Sequence, residues 1–177
     1  RSKTIKEAVD EVVVKGKAED TSSSTGSSST SSDSSSSSSS NSSSSYTTGS
    51  SGMFAWPLPY THTLTSNFGT RWGRLHGGLD ISDGGVYGQP IYASASGTVT
   101  FSGGDNSGYG NYVIIDHGSG YTTLYGHCSS LVAVTGQYVN QGDLIGYVGS
   151  TGNSTGPHLH FEIRLNGEKM DPLGYTS

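Results

Sequence analysis

The sequence lacks several features on which common protein classes depend. It has a single cysteine, Cys128, so no disulfide can form within the chain. It has no run of eighteen apolar residues, and no membrane-spanning helix is therefore predicted. Basic residues are scarce: from Met53 onward there are four, against eight acidic residues, which argues against a nucleic-acid groove. The chain begins with arginine and shows no signal-peptide pattern, so we expect it to be a fragment of a longer protein.

Apolar residues are almost absent from one long tract. Residues 21–52 are mostly serine, a composition with too little to bury, and we predict a disordered linker there. The linker separates a short head, residues 1–20, from a folded domain, residues 53–177. The head, which contains "TIKEAVDEVVVKG", is either the end of an upstream segment or domain, or a linker arm. The domain, at about 125 residues, is long enough to bury its own core.

Short β-rich runs alternate with glycine-rich turns throughout residues 53–177. The runs cover residues 97–103, 111–116, 121–127, 143–149 and 158–165. No segment longer than ten residues shows a convincing helical stripe. Short strands at regular spacing with such turns predict an all-β domain, an antiparallel sandwich or barrel.

Histidines supply the candidate chemistry. All six lie in the predicted domain. "HGGLD" contributes His76 and Asp80, and "YTTLYGH" places His127 at the end of a strand. In "HLH", His158 and His160 are two residues apart, so in a strand both point to one side, about 7 Å apart. Strand geometry alone does not decide which of these two histidines would bind a metal.

Imidazole and carboxylate groups are suitable ligands for Zn²⁺. A catalytic zinc site uses three protein ligands and leaves the fourth position to water. Five candidates exceed that number, and histidines that face a metal without binding it are candidates for acid/base catalysis. The other two histidines, His62 and His117, are expected to be hydrogen-bonded structural residues.

The motifs together resemble the lysostaphin/LytM-type zinc metallopeptidases, which cut peptide cross-links in bacterial peptidoglycan. The matching segments are "FGTRWGRLHGGLDI" (68–81), "GQPIYASASGTVTFSG" (88–103), "NYVIIDHGSGYTTLYGHCS" (111–129), "GQYVNQGDLIGYVGSTGNSTGPHLHFEI" (136–163) and "DPLGY" (171–175). The resemblance implies a barrel-sandwich hybrid with an open groove. It also implies a secreted, monomeric endopeptidase that acts on peptidoglycan stem and cross-bridge peptides in the bacterial cell wall.

The resemblance also assigns roles to the five candidates. It makes His76, Asp80 and His160 the ligands of one Zn²⁺ per chain, and His127 and His158 the catalytic residues. The resemblance does not identify the bond that is cleaved, because glycyl–glycyl, D-Ala–diaminopimelate and D-Ala–Gly links all need the same chemistry.

One departure from the family pattern is visible. Some members carry a tyrosine shortly before the first ligand, which helps to stabilise the transition state. Here no tyrosine lies between Tyr60 and His76, and Phe68, Arg71 and Trp72 occupy that stretch. The role of Arg71 and the identity of the oxyanion stabiliser are therefore left open.

Three other functions have partial support in the sequence. Family members that have lost ligands act as binding or regulatory modules, but all five positions are intact here. "SGTVTFSG" and "VNQGDLIGYVG" resemble a biotinyl/lipoyl carrier, yet no lysine occurs between Lys17 and Lys169 to carry the group. A cysteine peptidase would need Cys128 to pair with His127, and adjacent strand residues face opposite ways. We expect Cys128 to be a small buried side chain.

Overall fold

Twelve β-strands and one short 3₁₀ helix make up the part of the chain that the computed structural model describes, residues 52–177. The predictions for the head and for residues 21–51 lie outside the described residues. The 3₁₀ helix is Pro172–Gly174. The strands are β1 (Leu64–Ser66), β2 (Gly69–Arg71), β3 (Arg74–His76), β4 (Leu79–Ile81), β5 (Pro90–Tyr92), β6 (Gly97–Gly104), β7 (Asn111–Gly118), β8 (Tyr121–Leu131), β9 (Tyr138–Val139), β10 (Leu144–Val148), β11 (Leu159–Leu165) and β12 (Glu168–Met170).

The five predicted strands are present as β6, β7, β8, β10 and β11. Alternating side chains explain their position in the fold. In β6, Gly97 and Val99 are buried while Thr98 and Thr100 are exposed, as expected for a strand with one face against the core. In β11 the apolar residues Leu159, Phe161 and Ile163 are fully buried.

The strands pair antiparallel throughout the described part of the chain. Ten of them form one sheet in which seven follow the order β1-β4-β11-β8-β7-β6-β9, with β10, β5 and β12 attached beside this path. Strands β2 and β3 form a separate hairpin. The prediction of an all-β, antiparallel domain is confirmed.

Most of the buried apolar side chains form one core cluster. Cys128 is fully buried within it, as predicted. Within residues 52–177, no helix has the length and hydrophobicity needed to cross a membrane. The fully buried side chains of largest volume, all but Leu124 members of this cluster, are Tyr125, Phe54, Phe161, Leu58, Leu79, Ile81, Ile91, Ile115, Leu124, Ile145, Leu159 and Ile163.

Three adjacent strands, β4, β11 and β8, carry the chemical groups of interest. Asp80 of β4 stands directly opposite His160 of β11. On the other side of β11, His160 stands opposite Gly126 of β8, the residue before His127. Pairing across the sheet therefore brings together residues that are 80 positions apart in the chain.

Candidate metal and catalytic site

Two imidazoles and one carboxylate converge beside the paired strands β4 and β11. One ligand atom each from His76, Asp80 and His160 lie within 4.8 Å of one another. Oδ1 of Asp80 is 3.1 Å from Nε2 of His76 and 2.8 Å from Nδ1 of His160. Two imidazole nitrogens and a carboxylate oxygen are the donor set of a three-ligand zinc site.

The second nitrogen of each imidazole is held by an acceptor. Nδ1 of His76 donates to the carbonyl of Asn67 at 2.8 Å, and Nε2 of His160 donates to Oε1 of Glu162 at 3.0 Å. The lone pairs that these bonds leave free belong to Nε2 of His76 and Nδ1 of His160, the two atoms nearest Asp80. Such outer hydrogen bonds fix the tautomer of metal-binding histidines, so the site fits a metal ion.

Glu162 is the centre of a buried polar cluster beneath this site. Its side chain is fully buried. Oε1 accepts hydrogen bonds from Tyr109 Oη at 2.7 Å and Lys169 Nζ at 2.8 Å, and Oε2 accepts one from Arg164 Nε at 2.8 Å. Burial by itself raises the pKa of the Glu162 carboxyl, but the hydrogen bonds that it accepts, first that from His160, lower it to about 2. Glu162 is therefore an anion that holds His160 in place.

The pKa values of the neighbouring groups follow from these contacts. Burial raises the pKa of Asp80, but a hydrogen bond from the protonated form of His160 and the charge of the nearby imidazoles outweigh it, and the pKa is lowered. Burial lowers the pKa of His160, but the protonated ring can donate to both Asp80 and Glu162, and these hydrogen bonds raise the pKa above the usual value. Both shifts report a local preference for positive charge between the two carboxylates, which also suits a divalent cation.

The other two candidate histidines lie side by side next to the ligand group. The ring centroids of His127 and His158 are 4.6 Å apart. Nδ1 of His127 donates to the carbonyl of Thr151, and Nδ1 of His158 donates to the carbonyl of Gly156, each at 2.8 Å. Nε2 of each ring is left available, and that of His158 is 3.6 Å from Oδ1 of Asp80.

The orientation of His127 depends on a β-bulge. Strand β8 has one more residue than β7 between the paired positions Tyr125–Val113 and Cys128–Asn111. His127 takes up this extra residue with a φ of 63°, in the left-handed region that few side chains occupy. Bulges of this kind redirect side chains beside active sites. Burial, reinforced by the neighbouring imidazoles, lowers the pKa of His127 to about 4, so its ring is neutral near pH 7.

All five predicted site residues line one open groove with a volume of about 700 Å³. His62, His117 and Cys128 are not among its lining residues. His62 stacks on Trp56 with ring centroids 5.1 Å apart. Burial raises the pKa of the Cys128 thiol to about 12, which makes it a poor nucleophile. The bulge at His127 breaks the strand alternation from which His127 and Cys128 were expected to face opposite sides. The burial of Cys128 still excludes it as a catalytic nucleophile.

His117 is half-buried and lies away from the groove. Nδ1 donates to the carbonyl of Ser96 at 2.9 Å, and Nε2 lies 2.8 Å from the hydroxyl of Thr123. Burial lowers the pKa of His117 below its usual value near 6.5. The folded protein therefore binds a proton at this site less readily than the unfolded chain does.

This difference predicts a pH effect on stability. As the pH falls from 7 to 5, His117 is protonated in the unfolded chain at a higher pH than in the folded protein. The free energy of unfolding therefore decreases over this interval. In the His117→Gln variant this contribution is absent, and we expect a smaller loss of stability over the same interval. Urea denaturation of both proteins at pH 7 and pH 5 provides the measurement. Equal losses in the two proteins would contradict the prediction.

Sequence reasoning missed the groups that support the site. Glu162 shares the strand parity of His158 and His160, which is a usable signal, because residues i and i+2 face the same side. No local sequence pattern indicates the other supporting residues, because each reaches the site from a distant loop or strand. These residues are Tyr109, Lys169 and Thr151.

Comparison with known proteins agrees with this architecture. Residues 74–172 match the family described as Peptidase family M23. The catalytic domain of the antimicrobial peptidase lysostaphin from Staphylococcus simulans superposes with a TM-score of 0.55 at 32% identity, covering 63% of this chain and 87% of that domain.

Two curated relatives illustrate the range of functions among similar proteins. The chain is 47% identical over 124 residues to the DD-carboxypeptidase/endopeptidase Mpg of Neisseria meningitidis, covering 66% of this chain and 27% of that protein. It is 39% identical over 129 residues to the murein hydrolase activator NlpD of Salmonella typhimurium, covering 73% of this chain and 33% of that protein. The chain thus spans about a quarter to a third of the length of these relatives.

Proposed function

The chain belongs to peptidase family M23, and on that basis we propose that it is a zinc-dependent endopeptidase that hydrolyses peptide cross-links of bacterial peptidoglycan. The observation that carries the proposal is the convergence of His76, Asp80 and His160 within 4.8 Å. His127 and His158 line the same groove. A groove open to solvent suits an extended peptide better than a small enclosed ligand.

His76, Asp80 and His160 would hold one Zn²⁺ per chain. When bound, zinc supplies a Lewis acid for the scissile carbonyl and lowers the pKa of a coordinated water toward ~7. Asn67 and Glu162 keep the two imidazoles in the tautomers that leave Nε2 of His76 and Nδ1 of His160 free to bind. Asp80 provides the only negative charge among the three ligands.

His127 and His158 would move the protons. With Nδ1 of His127 fixed on Thr151, its Nε2 lone pair is ready to accept a proton from the attacking water. His158, fixed through Nδ1 on Gly156, is the partner that delivers a proton to the leaving amine or stabilises the developing oxyanion. The 4.6 Å between the two rings allows both to reach one peptide bond.

A regulatory role is the second candidate, since one relative is named a murein hydrolase activator. In that role the groove would bind cell-wall peptides or a hydrolase without cleaving anything. The complete set of three donors and two adjacent histidines favours catalysis, because a binding module has no need for any of the five.

The wider organisation is proposed on the same basis. Residues 53–177 would be the catalytic domain, residues 21–52 a serine-rich linker, and residues 1–20 the end of an upstream segment. The substrate places the protein outside the cell membrane, at the bacterial cell wall. We propose that it acts there as a monomer, because all five site residues come from one chain.

The test is digestion of purified peptidoglycan and of defined cross-linked muropeptides by the full chain. We expect new amino termini at a cross-link, identified by mass spectrometry, and about one zinc per chain. Exhaustive chelation is expected to abolish cleavage, and added Zn²⁺ to restore it. Full activity in the chelated protein would contradict the mechanism, and zinc-loaded protein that binds peptidoglycan without cutting it would favour the regulatory role.

A further inference from the structure

Positive charge in the described part of the chain is gathered at the groove. Four basic residues occur after residue 52, and three of them, Arg71, Arg74 and Lys169, line the groove. The fourth, Arg164, pairs with Glu162 directly beneath it. Only two of the eight carboxylates after residue 52, those of Asp80 and Glu162, line the groove. In a domain with net negative charge, this distribution concentrates a positive field at one surface.

Two of the four cations, Arg71 and Arg74, are not neutralised by the fold. The other two, Lys169 and Arg164, form ion pairs with Glu162 at 2.8 and 2.6 Å. Arg71 has only a long contact, 3.9 Å from Nη2 to Oδ2 of Asp80. Arg74 is exposed, and within residues 52–177 no carboxylate is near enough to form an ion pair with it. Arg71 and Arg74 are therefore available to a ligand in the groove.

These two arginines flank the tip of the β2–β3 hairpin. The tip consists of Trp72 and Gly73, with φ values of 47° and 75°. Positive φ at both central positions defines a type I′ turn, which favours Asn-Gly and disfavours a bulky residue at the first position. The Trp72 side chain is 96% exposed, so packing within the described domain does not compensate for this conformation.

Trp72 is exposed in a strained conformation and lies beside two arginines, of which Arg71 has one long ion pair and Arg74 has none within the described residues. Unfavourable backbone conformations are retained where they serve a function, and exposed aromatic and arginine side chains are typical binding residues. The guanidinium of Arg71 lies 6.0 Å from the centroid of the Trp72 ring, so the hairpin presents charge and an apolar surface together.

We propose that residues 71–74 form a recognition arm for peptides that carry a free carboxylate beside the scissile bond. Arg74, assisted by Arg71, would pair with that carboxylate, since the planar guanidinium fork matches a carboxylate in two-point contact. Trp72 would pack against the adjoining peptide. A bridge made only of glycine has no side-chain carboxylate, so this arm favours cross-links between acidic stem peptides. The inference rests on the proposed endopeptidase function and specifies its substrate class.

The test uses two cross-linked peptides that differ only in this carboxylate, which is a carboxamide in the second peptide. For the zinc-loaded full chain we expect kcat/KM and affinity to favour the carboxylate peptide by about 10–100-fold, the range for a hydrogen bond to a charged group. The Arg74→Gln variant should reduce this preference to nearly one, and Arg74→Lys should keep part of it. Trp72→Ala should weaken the binding of both peptides.

Tyr87→Ala is the matched control for Trp72→Ala, because Tyr87 is also an exposed aromatic residue but does not line the groove. Cleavage of both peptides at equal rates, or an undiminished preference in Arg74→Gln, would overturn the recognition arm and leave the endopeptidase function standing. If neither peptide is cut, the endopeptidase proposal fails, and calorimetry then tests the arm by binding alone. A preference of the wild-type chain for the carboxylate peptide that is lost in Arg74→Gln would support the arm. Equal binding of the two peptides by the wild-type chain would overturn the arm in that case also.

Discussion

Replacing His160 by alanine is expected to remove zinc from the protein and to abolish cross-link hydrolysis. Of the three atoms that converge within 4.8 Å, only those of His76 and Asp80 would remain, and two protein ligands are too few for a zinc site of this type. Zinc content after dialysis should fall from about one per chain to nearly none. Elemental analysis beside a muropeptide assay provides the measurement.

The Glu162→Gln variant is expected to weaken the same metal site less than His160→Ala does. Glutamine keeps the shape of the side chain but removes the charge that orients His160 at 3.0 Å. Loss of such an outer partner typically weakens metal binding by about 10–100-fold, so Glu162→Gln should still load with zinc but release it to a weaker chelator. The control is His62→Ala, which removes a histidine outside the groove and should keep both zinc and activity. Wild-type zinc content in His160→Ala would refute the ligand assignment.

The longer strands of this fold were predictable from the sequence. The predicted runs at 97–103 and 111–116 fall within β6 and β7 and miss at most two residues at their ends. The short strands β1 to β5, β9 and β12 were not predicted, because two or three residues are too few to display a period of two. Their pairing partners, not their own sequence, make them strands.

The candidate site was predictable in its residue types but not in its geometry. The spacing in "HLH" places two imidazoles on one side, while the separate roles of His158 and His160 came from the family resemblance. The pairing of β4 with β11, which puts Asp80 opposite His160, is a tertiary contact that no local pattern reports. The bulge that directs His127 into the groove is likewise invisible, since "YGHC" carries no glycine at the position with positive φ.

His158→Ala and His127→Ala are expected to retain zinc and yet lose about 10²–10⁴ in turnover, the usual contribution of general acid/base catalysis. Neither side chain belongs to the group of three convergent ligand atoms, and each is anchored through Nδ1 to a backbone carbonyl. Their removal should therefore affect proton transfer while leaving metal binding intact. Zinc content and kcat for each purified variant provide the comparison with His160→Ala.

A conservative variant separates the loss of proton transfer from the loss of packing. In His127→Gln the side-chain amide can still donate to the carbonyl of Thr151, as Nδ1 of His127 does, but it cannot accept and release a proton near pH 7. We expect His127→Gln to be as slow as His127→Ala, with zinc content and thermal stability close to those of the wild type. If His127→Gln were as active as the wild type, His127 would contribute packing and not proton transfer. A metal-free His158→Ala beside a zinc-loaded His160→Ala would reverse the two roles within "HLH", because the metal would then depend on the first imidazole of the pair.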